Sequence, residues 1–112
     1  MQFSHETKDN TLVFRIEEKK LDTTLAGNVK DELLDLYRDE NLSNLVFVLS
    51  AVTSIDSSGL SSLLFGRRQA SERGGECLLV DLQPKVQSLM KIARLDAVFN
   101  TFDNESSAIK SL

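Results

Sequence analysis

Alternating and continuous runs of apolar residues predict the strands of this chain. Residues 11–17 (TLVFRIE) alternate, which is typical of a strand with one buried face. This face would carry Leu12, Phe14 and Ile16, with the other holding Val13, Arg15 and Glu17. Residues 45–49 (LVFVL) and 77–82 (CLLVDL) are nearly unbroken apolar runs, which predict strands covered on both faces. A short strand is predicted from Phe3, before a turn at Asp9 and Asn10, and a last strand at residues 98–102.

Apolar residues spaced three and four apart predict helices between these strands. The first helix covers residues 23–37, with Asp22 or Thr23 as its N-cap. The second ends at Gly74-Gly75 and has a stripe of small residues that would let it lie close to a sheet, namely Gly59, Leu63, Gly66 and Ala70. The third begins at Pro84 and is amphipathic through Val86, Leu89, Met90, Ala93 and Ala97. Residues 106–112 predict a final helical turn or two, with Ala108, Ile109 and Leu112 directed inward.

These elements predict an α/β fold in the order ββαβαβαβα, with a mostly parallel sheet of about four to five strands and about four helices. The length of 112 residues suits one domain, residues 1–112. Parallel strands joined by helices bring their carboxyl ends to one edge of the sheet, where functional sites gather. Leu21-Asp22 and Asp56-Ser57 are therefore expected to lie near each other on that edge.

Composition and charge narrow the class of protein. Hydrophobic residues make up 41% of the chain and charged residues 27%, which predicts a compact soluble domain. The formal net charge is −4 and the basic residues are scattered, so we expect no nucleic-acid partner. No apolar window approaches the length of a membrane span, so we expect no membrane insertion and a cytoplasmic protein.

The residues that most enzymes need are scarce. Cys77 is the only cysteine and His5 the only histidine, which argues against disulfides, zinc clusters and a Ser-His-Asp hydrolase. The five glycines form no phosphate-cradling nucleotide motif. Asp56 beside Ser57 could suggest a base and a nucleophile, but no oxyanion motif accompanies them. We therefore predict no enzymatic activity, no cofactor and no metal, with Cys77 as a buried, inert thiol.

The segment TSIDSSGLSSLLF, residues 53–65, has two interpretations. Asp56, Ser57 or Ser58 could simply cap the second helix, which is worth about 1 kcal/mol. Alternatively, a hydroxyl here accepts a phosphate on an exposed edge, where a helix N-terminus tolerates the added negative charge. A partner surface docked over that edge would not tolerate it. Releasing such a partner takes about 5.5 kcal/mol, which burying an unpaired charge can supply and losing one cap cannot.

Several motifs in this order resemble the STAS domain of bacterial anti-sigma factor antagonists. They are an apolar strand followed by IDSSGL, a helix ending in RGGE, and a Pro-led helix ending at ARLDAVF. The resemblance covers essentially the whole chain, and its most specific part is DSSGL. It implies a STAS-like domain without catalytic activity of its own.

The resemblance also implies a switch. The serine after the motif's aspartate, which matches Ser57, would be phosphorylated by an anti-sigma factor that is itself a GHKL-type serine kinase. The unphosphorylated protein would bind that kinase and free the sigma factor, phosphorylation would end the binding, and a PP2C-type phosphatase would reset the cycle. Partner contacts would come from Asp22, Asp56, Ser58 and Gly59, on a monomer or weak dimer.

Two alternatives and two departures from the family pattern accompany this prediction. Some STAS domains act instead as non-switching scaffolds or as subunits of larger assemblies, such as a lipid-transport ATPase complex. Asp22 could serve as a helix cap, as a partner contact, or as both. Lys19 stands where the family usually has glycine, and Gln83 stands where serine is more usual before Pro84.

Overall fold

The computed structural model describes residues 2–112, which form seven strands. In chain order these are β1 (Phe3–Lys8), β2 (Thr11–Ile16), β3 (Lys20–Leu21), β4 (Asn44–Val48), β5 (Ser54–Ile55), β6 (Cys77–Val80) and β7 (Asn100–Phe102). Five of them make one sheet in the order β1-β2-β4-β6-β7, and β3 pairs with β5 in a second, two-stranded sheet. Only β1 and β2 are antiparallel. The predicted mostly parallel sheet is confirmed.

Four helices connect and cover the strands: α1 (Thr23–Leu36), α2 (Ser57–Glu72), α3 (Pro84–Ile92) and α4 (Glu105–Lys110). A short 3-10 helix, Leu95–Ala97, follows α3. The predicted third helix is thus too long, because its pattern ran to Ala97. The chain leaves the helix at Ala93 and takes a left-handed conformation at Arg94, with a φ of 60°, and both Ala93 and Ala97 are exposed.

The main core lies between one face of the five-stranded sheet and helices α1, α2 and α3. Alternation in β2 sends Leu12 and Phe14 into this core, where Phe14 meets the Phe47 ring edge to face at 6.0 Å. The other face carries a smaller cluster under α4, which includes Val13 and Val46. The prediction that Val13 lies on an uncovered face is therefore wrong, because α4 covers that face.

The carboxyl-terminal helix is shorter than its sequence pattern predicts. Helix α4 begins at Glu105, capped by Asn104, whose Oδ1 accepts a hydrogen bond from the Ser107 amide at 2.8 Å. Ala108 is buried as expected, but the helix ends at Lys110 and Leu112 is 41% exposed. The inward direction predicted for Leu112 is wrong, because the helical spacing that predicted it stops two residues earlier.

An arginine on the sheet fixes α4 against it. Arg15 donates from Nε to Glu105 Oε2 at 3.0 Å and from Nη2 to Glu105 Oε1 at 2.7 Å, and it also pairs with Glu6 on β1. The hydrogen bond from Arg15 lowers the pKa of the Glu6 carboxyl. One guanidinium therefore links the antiparallel strand, the sheet and the last helix.

Close approach of α2 to the sheet depends on its small-residue stripe, as predicted. A Cβ added at Gly66 would lie 2.5 Å from Cζ of Phe47 and 2.8 Å from Cδ2 of Leu45. Leu63 and Ala70 on the same stripe are fully buried. A larger residue at position 66 would push the helix away from β4.

The RGGE segment at the end of α2 closes the end of the fold opposite to the DSSGL motif. Gly74 takes a positive φ of 72°, and a Cβ at Gly75 would lie 2.4 Å from the carbonyl carbon of Ser43. Arg73 bonds the backbone carbonyls of the segment that follows α1, namely those of Tyr37, Asp39 and Leu42. Arg73, Gly74 and Gly75 of this motif are thus accounted for by structure alone.

Candidate functional site

Two short parallel strands bring the amino ends of α1 and α2 together. Leu21 on β3 lies opposite Ile55 on β5, and the Asp56 amide donates to the Leu21 carbonyl at 3.3 Å. The sequence pattern indicates neither strand, because two residues are too few to show a period. The expectation that Leu21-Asp22 and Asp56-Ser57 lie near each other is nevertheless confirmed.

Aspartates cap both of these helices. Asp22 Oδ1 accepts a hydrogen bond from the Leu25 amide at 3.2 Å, and Asp56 Oδ1 accepts one from the Gly59 amide at 2.9 Å. Each aspartate has extended backbone and is exposed. Between the two alternatives for α1, Asp22 rather than Thr23 is the N-cap. Both carboxylates therefore have a structural task and remain open to solvent.

Ser58 links the two helix ends through its side chain. Its hydroxyl lies 3.2 Å from the Thr23 hydroxyl on α1, at hydrogen-bond distance. Ser58 is half-buried between the helices. Thr23 was not predicted as a site residue, and only its place in the first turn of α1 could have indicated this contact.

Gly59 is buried because α2 starts almost in contact with β3. A Cβ added there would lie 2.2 Å from the Leu21 carbonyl oxygen and 2.6 Å from Cγ2 of Ile55. The glycine is therefore required by packing. Its predicted contribution to partner contact stays a prediction, as do those of Asp22, Asp56 and Ser58.

Ser57 occupies the first turn of α2 and is exposed. Among residues 2–112 its hydroxyl forms no hydrogen bond to another side chain or to the backbone, in contrast to the aspartate before it and the serine after it. Capping is already carried out by Asp56. The DSSG motif thus leaves one hydroxyl unused by the fold.

Beside Ser57 lies a groove of about 390 Å³ between α1, α2 and the segment after α3; we call it the Ser57 groove. Its charged lining residues are Lys30 and Arg68, and apolar ones include Leu60 and Leu64. Lys30 Nζ donates to the Ser61 hydroxyl at 3.1 Å. In the sequence, Lys30 and Arg68 are two of a scattered set of basic residues. The spacing of Ser57, Ser61, Leu64 and Arg68 at four, three and four would have placed them on one helix face.

On the other side of the same loop, an apolar groove of about 500 Å³ separates β5 from α3. Ile55, Leu89 and Ile92 line it, and Ile92 is 80% exposed. The Ser57 hydroxyl, the two capping carboxylates and exposed apolar residues therefore share one edge of the molecule. Such a mixture of apolar and polar groups is typical of a surface that docks another protein.

The turn at Lys19 takes part in this edge. The Lys19 carbonyl accepts hydrogen bonds from the amides of Thr53 and Ser54 at 2.8 and 3.1 Å, and from the Thr53 hydroxyl at 3.2 Å. The lysine side chain is exposed. This turn therefore holds the loop that precedes the DSSG motif through backbone groups, which any residue supplies.

Other reactive groups lie elsewhere. Burial raises the pKa of the Cys77 thiol, which lies on β6 and is protonated near neutral pH, as the prediction of an inert thiol requires. In the part of the chain that the structure describes, no group of three or more His, Cys, Asp or Glu residues could hold a metal ion. Within residues 2–112, no helix is long and apolar enough to cross a membrane.

The chain is similar in sequence and fold to known anti-sigma factor antagonists. The chain is 25% identical over 112 residues to the anti-sigma F factor antagonist of Paenibacillus polymyxa, and the match covers 100% of this chain and 95% of the relative. The crystal structure of a candidate anti-sigma factor antagonist from Thermotoga maritima is 26% identical, with a TM-score of 0.86 over 97% of this chain and 92% of that one.

A more distant structural neighbour is SpoIIAA, an anti-sigma factor antagonist solved in an unphosphorylated form and, from Bacillus, in a phosphorylated form. The TM-scores are 0.75 and 0.74 at 18% identity, over 97% of this chain and 96% and 97% of SpoIIAA. This likeness shows a common fold. The sequence model of the STAS domain family matches residues 2–108, and the chain therefore belongs to the STAS domain family.

Proposed function

We propose that this protein is an anti-sigma factor antagonist whose binding to its partner is switched by phosphorylation of Ser57. The partner is an anti-sigma factor that is also a GHKL-type serine kinase. The unphosphorylated antagonist binds it and frees the sigma factor, the phosphorylated form does not bind, and a PP2C-type phosphatase restores the first state. The names of the two relatives that are about a quarter identical support the first part of this proposal.

One observation carries the assignment of Ser57. Its hydroxyl is exposed at the start of α2 and is not used by the fold, because Asp56 caps the helix and Ser58 contacts Thr23. A kinase can reach such a hydroxyl without disturbing a hydrogen bond. The kinase supplies the catalytic groups, so the proposal requires no catalysis by this chain.

The position also explains why a phosphate would leave the fold intact. The first turn of a helix presents amide groups and the positive end of the helix dipole, both of which favour a negative charge. A phosphate adds roughly −1.5 to −2 charges at pH 7. The chain can therefore hold the phosphorylated serine in solvent with little change in the free energy of unfolding.

A bound partner would meet the same charge differently. Asp22 and Asp56 are already exposed at this edge, so the phosphate adds like charge to two carboxylates. Covering all three with a protein surface removes their hydration, and leaving a buried charge without a counter-ion costs about 3 to 5 kcal/mol. Moving a complex from almost fully bound to almost fully free takes about 5.5 kcal/mol, so repulsion and lost hydration together have the required size.

The test is a phosphorylation assay with GHKL-type kinases from the genome that encodes this chain. Incubation with one of them and ATP should add one phosphate, located at Ser57 by mass spectrometry, and should abolish kinase binding in calorimetry. Ser57→Ala should accept no phosphate. Ser61→Ala is the matched control, since it removes an exposed serine one turn further along the same helix and should be phosphorylated as the wild type is.

Phosphorylation that persists in Ser57→Ala contradicts the site assignment. A chain that none of these kinases binds or modifies would instead favour the alternative of a non-switching STAS subunit in a larger assembly. In that case Ser57→Asp should leave its assembly unchanged, which size-exclusion chromatography of the native complex would show.

A further inference from the structure

We infer that Lys30 on α1 is the positioning residue for the phosphate on Ser57, exchanging its contact with Ser61 for an ion pair with the phosphoserine. This inference rests on the proposed function, because it concerns the phosphorylated state. It adds a specific residue and a change of contact to the switch.

The first observation is the shared groove. Ser57, Ser61 and Lys30 all line the Ser57 groove, although Lys30 belongs to a different helix. Lys30 Nζ lies 3.1 Å from the Ser61 hydroxyl oxygen. Ser57 and Ser61 are four residues apart on α2, so their Cβ atoms are about 5 to 6 Å from each other. The lysine ammonium is therefore held about one helical turn from the acceptor hydroxyl.

The chemistry of lysine permits the exchange. Its ammonium is a compact charge on a flexible four-carbon stem, with three donors that can be turned towards different acceptors. The present acceptor is a neutral hydroxyl. A phosphate oxygen is a charged acceptor, and charge-assisted hydrogen bonds are about twice as strong as neutral ones. When Ser57 is phosphorylated, the ammonium has a better acceptor within the same groove.

Other charged groups near Ser57 are less suited to this role. Arg68 lines the groove but follows Ser57 by eleven residues, which places it about 16 Å along the helix. Asp56 and Asp22, the caps of α2 and α1, are negative and repel the phosphate. From the segment after α3 the groove receives Ala93 and Leu95, which carry no charge. Lys30 is thus the cation in position to pair with the phosphate.

The exchange would give phosphorylation a second effect on the partner surface. In the unphosphorylated chain the groove presents two cations, Lys30 and Arg68, beside apolar residues. A phosphate of roughly −1.5 to −2 charges paired with Lys30 cancels most of that positive charge. A partner carboxylate that uses Lys30 would lose its counter-ion at the same time as it meets the phosphate.

The test measures the phosphate itself. Phosphoserine is incorporated at position 57 during translation, and its second ionisation is followed by phosphorus NMR as the pH is varied. A nearby ammonium favours the dianion, so Lys30→Gln should raise the titration midpoint by about half a pKa unit relative to the wild type. Lys30→Arg keeps the charge and should retain most of the lowering. Raising the salt concentration should shrink the difference between wild type and Lys30→Gln.

The matched control is Lys110→Gln, which removes an equal charge from α4 on the opposite face of the sheet and should leave the midpoint within about 0.1 unit. An unchanged midpoint in Lys30→Gln overturns the inference, because the phosphate would then be held without Lys30. An equal shift in Lys110→Gln also overturns it, since net charge alone would explain the effect. The phosphoserine is installed without a kinase, so these results do not depend on the proposed function, which fails separately if no kinase modifies Ser57.

Discussion

The two ends of the α1–α2 pair are fastened in different ways. At the amino ends, β3 and β5 pair through their backbones, and Asp22 and Asp56 cap the helices. At the carboxyl ends, the side chain of Arg73 bonds three backbone carbonyls and lies over the Tyr37 ring at 5.3 Å from its centroid. The carboxyl end uses the Arg73 side chain for structure, whereas the amino end leaves the Ser57 hydroxyl unused.

This difference indicates which of the two polar motifs to regard as functional. Both DSSGL and RGGE contain a glycine that backbone contact requires, Gly59 against Leu21 and Gly75 against Ser43. Both also contain polar side chains at a helix end. The hydrogen bonds separate them, because the Arg73 guanidinium of RGGE is bonded within the fold and the Ser57 hydroxyl of DSSGL is not. Variants can test this contrast in order of their expected effect on the free energy of unfolding.

The largest effect should come from the glycine contacts that both ends share. Gly59→Ala would place a Cβ 2.2 Å from the Leu21 carbonyl oxygen, and Gly75→Ala would place one 2.4 Å from the Ser43 backbone. Such overpacking against backbone should lower the free energy of unfolding by about 3 kcal/mol in each case. Urea unfolding measures it.

Gly27→Ala is the control for both variants. Gly27 lies in α1 with nothing within 4 Å of its added Cβ, so alanine should raise the free energy of unfolding by about 0.5 to 1 kcal/mol through helix propensity. If Gly59→Ala also stabilises the protein, α2 does not begin as close to β3 as described.

The next effect should come from the arginine that fastens the carboxyl ends. Arg73→Ala removes a charged donor from the carbonyls of Tyr37, Asp39 and Leu42, and we expect a loss of about 2 kcal/mol in urea unfolding. Partner binding should stay unchanged, because Arg73 lies at the end of α2 opposite to Ser57.

Arg38→Ala provides the comparison for that loss. Arg38 makes an exposed ion pair with Asp35 at 3.5 Å, so its removal should change the free energy of unfolding by no more than about 0.5 kcal/mol. Equal losses in the two variants would show that Arg73 contributes no more than a surface charge.

A smaller effect should follow from removing one aspartate cap at the site end. Asp56→Ala leaves the Gly59 amide without its acceptor and should cost about 1 kcal/mol in thermal or urea unfolding. Asp56→Ser keeps an acceptor at the N-cap and should recover most of that loss. A loss in Asp56→Ala above about 2 kcal/mol would mean that Asp56 does more for the fold than cap α2.

The smallest change in stability should accompany the largest change in binding. Ser57→Asp introduces a negative charge at the first turn of α2 and should alter the free energy of unfolding by less than about 0.5 kcal/mol. Kinase binding, measured by calorimetry, should nevertheless be weakened. Ser106→Asp adds the same charge to the first turn of α4 on the other sheet face, and should leave both quantities unchanged. If Ser57→Asp unfolds the protein, the serine is chiefly structural.

Much of the fold could be predicted because long elements carry a clear period. Helix α1 was expected at residues 23–37 and spans Thr23–Leu36, and the apolar run at 45–49 corresponds to β4 at Asn44–Val48. The small-residue stripe of α2 likewise indicated close packing on the sheet, which Gly66 and Phe47 confirm. Periodicity over four or more residues reports which face is buried, and burial determines the element.

Other features could not be predicted, since they depend on elements distant in the chain. Val13 was expected on an uncovered face, and α4, more than ninety residues later, covers it. The two-residue strands β3 and β5 form only because the fold brings them side by side and they pair with each other. In the sequence Lys30 is far from Ser61. Only the packing of α1 beside α2 brings its ammonium within hydrogen-bond distance of the Ser61 hydroxyl.

The sequence by itself determined the order of the long elements and placed suitable capping residues and the hydroxyls of the DSSGL motif at the start of α2, because spacing and residue type act over a few neighbouring positions. Residue type alone could not say which side chain caps α2, since Asp56, Ser57 and Ser58 are all suitable caps, although the family resemblance singled out Ser57 as the phosphate acceptor. The Asp56 carboxylate accepts from the Gly59 amide at the same helix end, and tertiary structure decided the rest by bringing the Thr23 hydroxyl on α1 to 3.2 Å from the Ser58 hydroxyl. The Ser57 hydroxyl is left without a hydrogen bond because Asp56 caps α2 and Ser58 contacts Thr23 on α1.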